Sequence, residues 1–384
     1  MRSMPAAAQA LLTLGVLVSA AGPAFAEVRS THLVLDRAAL SRAQTLGARS
    51  LADGATGSGF SVVEAPFAFS AVAAVTNPGS DGQLKVRVSA DGRAWSSAIL
   101  LPDDEPNPAL DERGQALRFA LDRVSALYFP RRPDGSAARF LAFSFDGGVS
   151  PPTRVAFHFI DAGASPGVAR ARSSRPLTDP HPLRPLMVSR EAWGARPPKY
   201  PYTLTLAHHL AIHHTAGVSD GLATTTEECA AQVRGIQAFH QGTREWNDVG
   251  YSYLICGTGE VFQAREDDDD STDVWGAHDG FNRGSMSVSL MGYFHPPYNQ
   301  IPSPGMLDSL VRTLAWMTDL RGVDPLDSSL YEAFGAVRTN IYGHREVRAT
   351  DCPGDTIFAM KDTLRAAVAA TLDQYRSTAK LSSR

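Results

Sequence analysis

Cysteine is scarce. The 384-residue chain holds three, Cys229, Cys256 and Cys352, too few for a disulfide-framed scaffold, and a chain of this length buries sizeable cores without such staples. An excess of one charge is also lacking: 36 Lys and Arg stand against 40 Asp and Glu, a net charge of -4. That balance gives no general reason to expect nucleic acid or an anionic membrane as partner. An uncharged polymer suits it better. After the N-terminus no apolar run approaches the ~20 residues of a membrane span, so no membrane span is expected there.

What is present begins with a leader. The first 26 residues carry Arg2, an apolar stretch from Ala10 to Ala21, and Pro23-Ala24-Phe25-Ala26 before Glu27. That order describes a secretory signal cut after Ala26, and the mature chain is expected to be secreted or periplasmic. From Val28 to about Asp161, short alternating runs are broken by Asp-Gly, Asn-Pro and Pro-Pro: Phe67 to Val75, Leu84 to Ser89, Leu117 to Leu121, Ala126 to Phe129, Phe140 to Phe145 and Arg154 to Ile160. Period two with this punctuation predicts an all-β, sandwich-like accessory domain over 27–161. Trp95 within it suits either stacking on sugar or half-buried packing. Residues 162–186, rich in Pro, Ser, Ala and Gly with Arg170, Arg172, Arg175 and Arg184, have no apolar period and are expected to form a linker.

From Met187 helical and strand patterns alternate, which predicts an α/β domain over 187–384 with a central mixed sheet flanked by helices. Cys229, Val233, Ile236 and Phe239 share one face of a helix over Thr226 to Gln241. Leu307, Leu310, Val311, Leu314 and Met317 stripe a second, from Gly305 to Leu320, and a third runs from about Thr356 to Tyr375. Strands are expected near Leu206 to His214, Gly250 to Cys256, Glu260 to Ala264, Ser287 to Tyr293 and Thr339 to Tyr342.

The chemistry concentrates in Ile341 to Gly354, IYGHREVRATDCPG. His344 and Cys352 lie eight residues apart between a Gly and a Cys-Pro-Gly turn, and imidazole and thiolate are zinc ligands. A third ligand is offered by the strand Leu210-Ala211-Ile212-His213-His214-Thr215. Adjacent strand residues face opposite ways, so one of His213 and His214 points at a shared metal, and spacing does not say which. With Cys352 on a metal, Cys229 and Cys256 are left to pair or to stay as two buried thiols.

Several motifs recur in a known order: Ser189-Arg190-Glu191-Ala192-Trp193-Gly194-Ala195-Arg196, Ile212-His213-His214-Thr215-Ala216-Gly217, Val233-Arg234-Gly235-Ile236-Gln237, Trp246-Asn247-Asp248-Val249-Gly250-Tyr251, Gly276-Ala277-His278, Gly343-His344-Arg345 and Asp351-Cys352-Pro353-Gly354. In this the chain resembles the peptidoglycan recognition proteins and the type 2 N-acetylmuramoyl-L-alanine amidases, the T7 lysozyme-like family, over about Met187 to Tyr375. The resemblance implies Zn2+ bound by His213, His344 and Cys352, with a fourth position left for water as a catalytic zinc requires. It assigns Tyr251 to orienting that water and stabilising the tetrahedral intermediate, and Thr350 to donating to the developing oxyanion, although Thr350 also suits a plain turn role. His240, Arg265, His278 and Asn282 match positions associated with the muramyl peptide, where structural hydrogen bonding is the competing role for the histidines and Asn282. Family members that keep the Cys and the Tyr cleave the bond between N-acetylmuramic acid and L-alanine, and members that replace the Cys only bind the wall. Cys352 and Tyr251 therefore imply hydrolysis of peptidoglycan; the exported chain is expected to be a monomer. The alternatives are non-catalytic recognition and zinc hydrolysis of another exported amide. Glu266 and Asp267 replace the family's Gly-Trp, at the start of an acidic insertion, Glu266 to Asp273, expected as a solvated loop. The stem-peptide type stays open.

Overall fold

The computed structural model describes residues 27–40, 60–80, 82–101, 113, 115–116, 123–128, 137–147, 150–163, 181–217, 221–265, 272–278 and 280–382. The expected leader, the run Leu117 to Leu121, the linker arginines Arg170, Arg172 and Arg175, and Glu266 to Asp270 lie outside the described residues.

Eight strands among the described residues make the N-terminal part: β1 (Arg29–Asp36), β2 (Ser61–Phe69), β3 (Ala71–Thr76), β4 (Gln83–Ser89), β5 (Ile99–Leu101), β6 (Arg123–Tyr128), β7 (Ala138–Asp146) and β8 (Arg154–Asp161). They form two antiparallel sheets, ordered β1-β8-β3-β6 and β2-β7-β4-β5. Side chains from both sheets, among them Phe69, Val72, Val86, Phe143 and Phe157, share one core. The run Phe67 to Val75 is not one strand but two. The chain bends at Ser70, whose N–H donates to the Ile160 carbonyl at 2.8 Å and whose hydroxyl accepts from Ala162 N–H at 3.0 Å. There it passes from one sheet to the other. Apolar residues continue through the bend, so periodicity alone could not mark it. Trp95 is half-buried.

The C-terminal part contains β9 (Met187–Val188), α1 (Arg190–Trp193), β10 (Leu204–Thr205), β11 (His209–His214), α2 (Thr226–Gly242), β12 (Tyr253–Ile255), β13 (Val261–Gln263), β14 (Asp273–Val274), β15 (Ser285–Leu290), α3 (Pro304–Arg321), β16 (Ser328–Tyr331), β17 (Ala336–Thr339), β18 (Ile341–Gly343) and α4 (Asp355–Ser382). Six strands make a mixed sheet, ordered β18-β11-β15-β12-β13-β9, parallel at every pairing except β12 with β13. Leu210, Ile212, Tyr253 and Val288 on one face pack with Leu310, Leu314, Ile357 and Leu364 of α3 and α4. Leu254 and Phe262 on the other pack with Val233, Ile236 and Phe239 of α2. The helices start where the chain supplies caps. Thr225 and Glu228 form a capping box on α2, Ser303 caps α3 ahead of Pro304, and Gly322 closes α3 in the left-handed conformation. The Cys229–Cys256 disulfide ties α2 to the sheet.

Differences from expectation have local causes. The stretch Thr339 to Tyr342 divides between the β16–β17 hairpin and β18, with Asn340 as the pivot, its N–H donating to the Asp327 carbonyl at 3.0 Å. Asp273, read as the end of a solvated acidic loop, is instead fully buried and held by Arg321 at 2.6 Å, with its second oxygen accepting Ala207 N–H at 2.7 Å. Of the expected linker, Arg184 lies 5.1 Å over the Trp316 ring and His181 pairs with Asp319 at 3.1 Å, so that end is packed rather than loose. The core is continuous past residue 161: Ala71, Ala73, Val75, Ala156 and Ile160 share one cluster with Val233 and Ile236 of α2. Arg234, buried in α2, donates to the carbonyls of Ala162 (2.7 Å), Gly163 (3.3 Å) and Trp193 (2.9 Å).

Candidate metal centre

Strand register brings the first two candidate ligands together. Ile212 lies opposite Gly343 in the parallel β11–β18 pair, so one step further along each strand come His213 and His344. Their rings are 4.5 Å apart between centroids. Ile212 faces the α3 and α4 core, which turns His213 to the other face. Cys352 arrives on a turn braced from both sides. Arg345 N–H donates to the Cys352 carbonyl at 2.9 Å and Gly354 N–H to that of Asp351 at 2.7 Å. Gly354 has φ +90 and passes so close to Phe294 that a Cβ would sit 2.5 Å from its carbonyl oxygen. Only glycine fits there.

The ligand atoms of His213, His344 and Cys352 all lie within 4.8 Å of one another, and all three side chains are buried. His213 Nδ1 faces Cys352 Sγ at 3.3 Å. Burial, with His344, His278 and His214 nearby, pushes the His213 pKa well below its ordinary 6.5, so the imidazole is neutral, the form that ligates a metal. The thiol sulfur accepts the backbone N–H of His214 at 3.3 Å. Two imidazoles and a thiol, converging from one side, fit the donor set of a tetrahedral metal. His214 itself points away. Its Nδ1 accepts Phe294 N–H at 3.5 Å, and burial holds its pKa down to about 3, with His295 and Arg345 adding to the shift.

Around this cluster, the Tyr251 ring lies 5.3 Å from that of His213. Thr350 Oγ1 accepts Cys352 N–H at 3.2 Å, so the turn role holds, while the hydroxyl proton still has somewhere to point. The other expected contacts also have partners inside the protein. His240 is buried, its Nδ1 accepts Gly250 N–H at 3.0 Å and its ring lies 4.6 Å from Trp246; it thereby steadies the residue before Tyr251. Arg265, 1 % exposed, donates to the carbonyls of Val249 (2.8 Å), Trp275 (2.8 Å) and Asp248 (3.4 Å). A guanidinium so enclosed braces the Tyr251 loop. His278 is buried against His213 at 3.2 Å, and Asn282 Oδ1 accepts its backbone N–H at 2.7 Å. Of the flanking histidines, His208 is exposed and His209 is buried, stacked on Tyr331 at 4.5 Å.

The sequence reading missed the group behind Tyr251. Asp248, fully buried, is held by Arg190 at 2.6 Å and by Gln237 at 2.6 Å, and it accepts the Tyr202 hydroxyl at 2.6 Å. Four polar residues scattered over a 59-residue span carry no periodic signal, although Arg190, Gln237 and Asp248 all sat inside the recurring motifs.

Residues 204–355 match the family Amidase_2, N-acetylmuramoyl-L-alanine amidase. The chain is 31% identical over 204 residues to peptidoglycan-recognition protein LB of Drosophila melanogaster, covering 53% of this chain and 72% of that protein. It belongs to the peptidoglycan recognition protein and type 2 amidase family. Within that family it is also similar to the N-acetylmuramoyl-L-alanine amidase of Mus musculus, at 32% identity over 187 residues, 47% of this chain and 31% of the mouse protein. Among solved structures, Drosophila PGRP-LB wild-type is 32% identical, covering 44% of this chain and 89% of that one with a TM-score of 0.36. His213, His344, Cys352, Tyr251 and Thr350 all lie inside the family match. The strands before residue 162 lie outside it.

Proposed function

We propose that this protein is an exported, zinc-dependent amidase that hydrolyses the bond between N-acetylmuramic acid and L-alanine in peptidoglycan. The observation that carries the reading is the buried His213, His344 and Cys352 cluster, with ligand atoms within 4.8 Å of one another, beside Tyr251. Zinc held by these three would supply a Lewis acid that lowers the pKa of water and polarises the amide carbonyl. The chain's own residues supply the rest. Burial keeps His213 neutral and available. The His214 N–H steadies the Cys352 sulfur. Tyr251, set by the Arg265 and His240 braces, offers a phenol hydroxyl to the carbonyl oxygen as it gains negative charge. Thr350, whose oxygen already accepts Cys352 N–H, offers its hydroxyl proton to the same oxygen. Water adds to the carbonyl carbon and the C–N bond breaks, leaving the lactyl carboxylate and a free L-Ala amine.

On this reading residues 1–26 direct export and are cut after Ala26, and 27–161 form an accessory β unit that holds the enzyme on the wall. The test is release of free stem peptide from purified peptidoglycan, followed by mass spectrometry, for wild type, chelated wild type and Cys352→Ala. Peptides with free L-Ala amines are expected only from metal-loaded wild type. A wild type that binds the wall, holds no zinc and releases nothing is a recognition protein.

A further inference from the structure

Resting on the reading of His213 as a metal ligand, we propose that His278 is a positioning residue for His213, fixing its tautomer and ring plane. Both ring nitrogens of His213 are engaged: Nδ1 faces the Cys352 sulfur at 3.3 Å and Nε2 faces Nδ1 of His278 at 3.2 Å. With Nδ1 given to the metal, the single proton of neutral His213 sits on Nε2 and donates to His278 Nδ1. His278 then carries its own proton on Nε2, which donates to Ser285 Oγ at 3.3 Å. The Ser285 hydroxyl donates in turn to the Asn282 carbonyl at 3.2 Å. Every member gives one proton in one direction, and the series ends on a carbonyl, which only accepts. The reverse direction forfeits the Ser285–Asn282 bond and places a proton on the His213 nitrogen that faces the sulfur. The anchored end thus selects the tautomer that a metal needs.

The surroundings hold the His278 ring for this task. It meets the His213 ring edge-on, at 5.1 Å and 77°. Gly276 lies directly against it: a Cβ there would come within 2.4 Å of His278 Cδ2. That close approach is a physical reason for glycine in Gly276-Ala277-His278. Asn282 clamps the His278 backbone at 2.7 Å. His278 is 6% exposed, with both ring nitrogens within hydrogen-bonding distance of protein partners. Partners of metal-bound histidines orient the ring and raise its basicity, and losing one costs about 10- to 100-fold in metal affinity.

The experiment measures zinc affinity by competition with a chromophoric chelator, and the visible spectrum of the cobalt-substituted protein, for wild type, His278→Leu, His278→Asn and Gly276→Ala. Thermal melts of the metal-free proteins check folding. His278→Leu is expected to weaken zinc about 10- to 100-fold and shift the cobalt bands. His278→Asn, whose Oδ1 reproduces the Nδ1 acceptor, is expected to stay close to wild type. Gly276→Ala, which keeps the imidazole but displaces it, is expected to move toward the Leu variant. Should His278→Leu fail to fold, His278→Asn against Gly276→Ala carries the same test. Zinc held equally by wild type and His278→Leu, with an unchanged cobalt spectrum, overturns this proposal and leaves the metal site standing. An Asn variant as weak as the Leu variant overturns it too. A wild type that holds no zinc overturns the metal-site reading, and this proposal with it.

Discussion

Strands β3 and β11 are both enclosed on their two faces, and they are built in opposite ways. β3 reads Ala-Val-Ala-Ala-Val, with Val72 and Ala74 packed between the N-terminal sheets and Ala71, Ala73 and Val75 packed toward α2. β11 reads His-Leu-Ala-Ile-His-His and is equally buried. An apolar strand needs only volume on either side. A buried imidazole needs a partner for each ring nitrogen or it costs stability. Neighbouring segments supply a partner to one nitrogen of each: Ser329 Oγ of β16 lies 3.3 Å from His209 Nε2, His278 meets His213, and Phe294 N–H reaches His214. The candidate site lies on the sheet whose surroundings are built from directional bonds. The apolar sheet is attached through its small side chains and through Arg234.

The sharpest break of this contrast is at the polar strand's own cluster. Cys352→Ala removes one of three proposed ligands, and peptide release is expected to fall to the level of chelated wild type while the protein still binds peptidoglycan; a pull-down alongside mass spectrometry reads both. Next comes the attachment between the two regions. Arg234→Leu leaves three buried carbonyls without their donor, an expected loss of about 3 kcal/mol, read from the urea midpoint. A single transition in that experiment means both regions unfold together, as the shared core implies. Thr350→Val keeps the side-chain shape but removes the hydroxyl, and is expected to cut turnover by about 100-fold with zinc content unchanged. Thr350→Ser should restore most of it.

The smallest expected effect concerns pH. Burial pushes the His240 pKa well below 6.5, with Arg244 and Arg265 adding to the shift. The folded state therefore holds His240 neutral while the unfolded chain takes up a proton near its ordinary value. Stability from this group is complete above about pH 6.5 and falls on acidification by about 1.4 kcal/mol per pH unit. His240→Asn, whose Oδ1 still accepts Gly250 N–H, should flatten the stability slope between about pH 7 and pH 5 by one proton's worth. Urea midpoints across that range check it. An unchanged slope would mean that β11 and its surroundings, not α2, carry the acid sensitivity.

Much of the fold was legible beforehand. The helices α2 and α3 ended within one residue of where their apolar stripes and flanking residues put them, because Thr225, Ser303, Pro304 and Gly322 act locally. The strand β1 and the hairpin β16–β17 were not anticipated. In the hairpin, exposed Leu330 and Val337 sit opposite each other where a half-buried strand normally carries polar residues. The bend at Ser70 was equally hidden, since side chains on both sides of it are apolar. Among the candidate site residues, His213, His344 and Cys352 converge, with Tyr251 and Thr350 beside them. Arg265, His240 and His278 turned inward, because their residue types suit a groove and a buried brace equally well.

The sequence by itself determined the local chemistry: where helices begin, which short motifs carry imidazole and thiol, and that Gly343 and Gly354 flank them at tight turns. These follow from properties of a few neighbouring residues. Only the tertiary structure decided the rest: that Asp273 belongs to Arg321, that Cys229 pairs with Cys256, and that the β1-β8-β3-β6 sheet packs on α2. Each depends on strand register or on a partner tens of residues away. A hydrogen bond or a packed pair is a property of two positions in space, and no single stretch of the chain contains both.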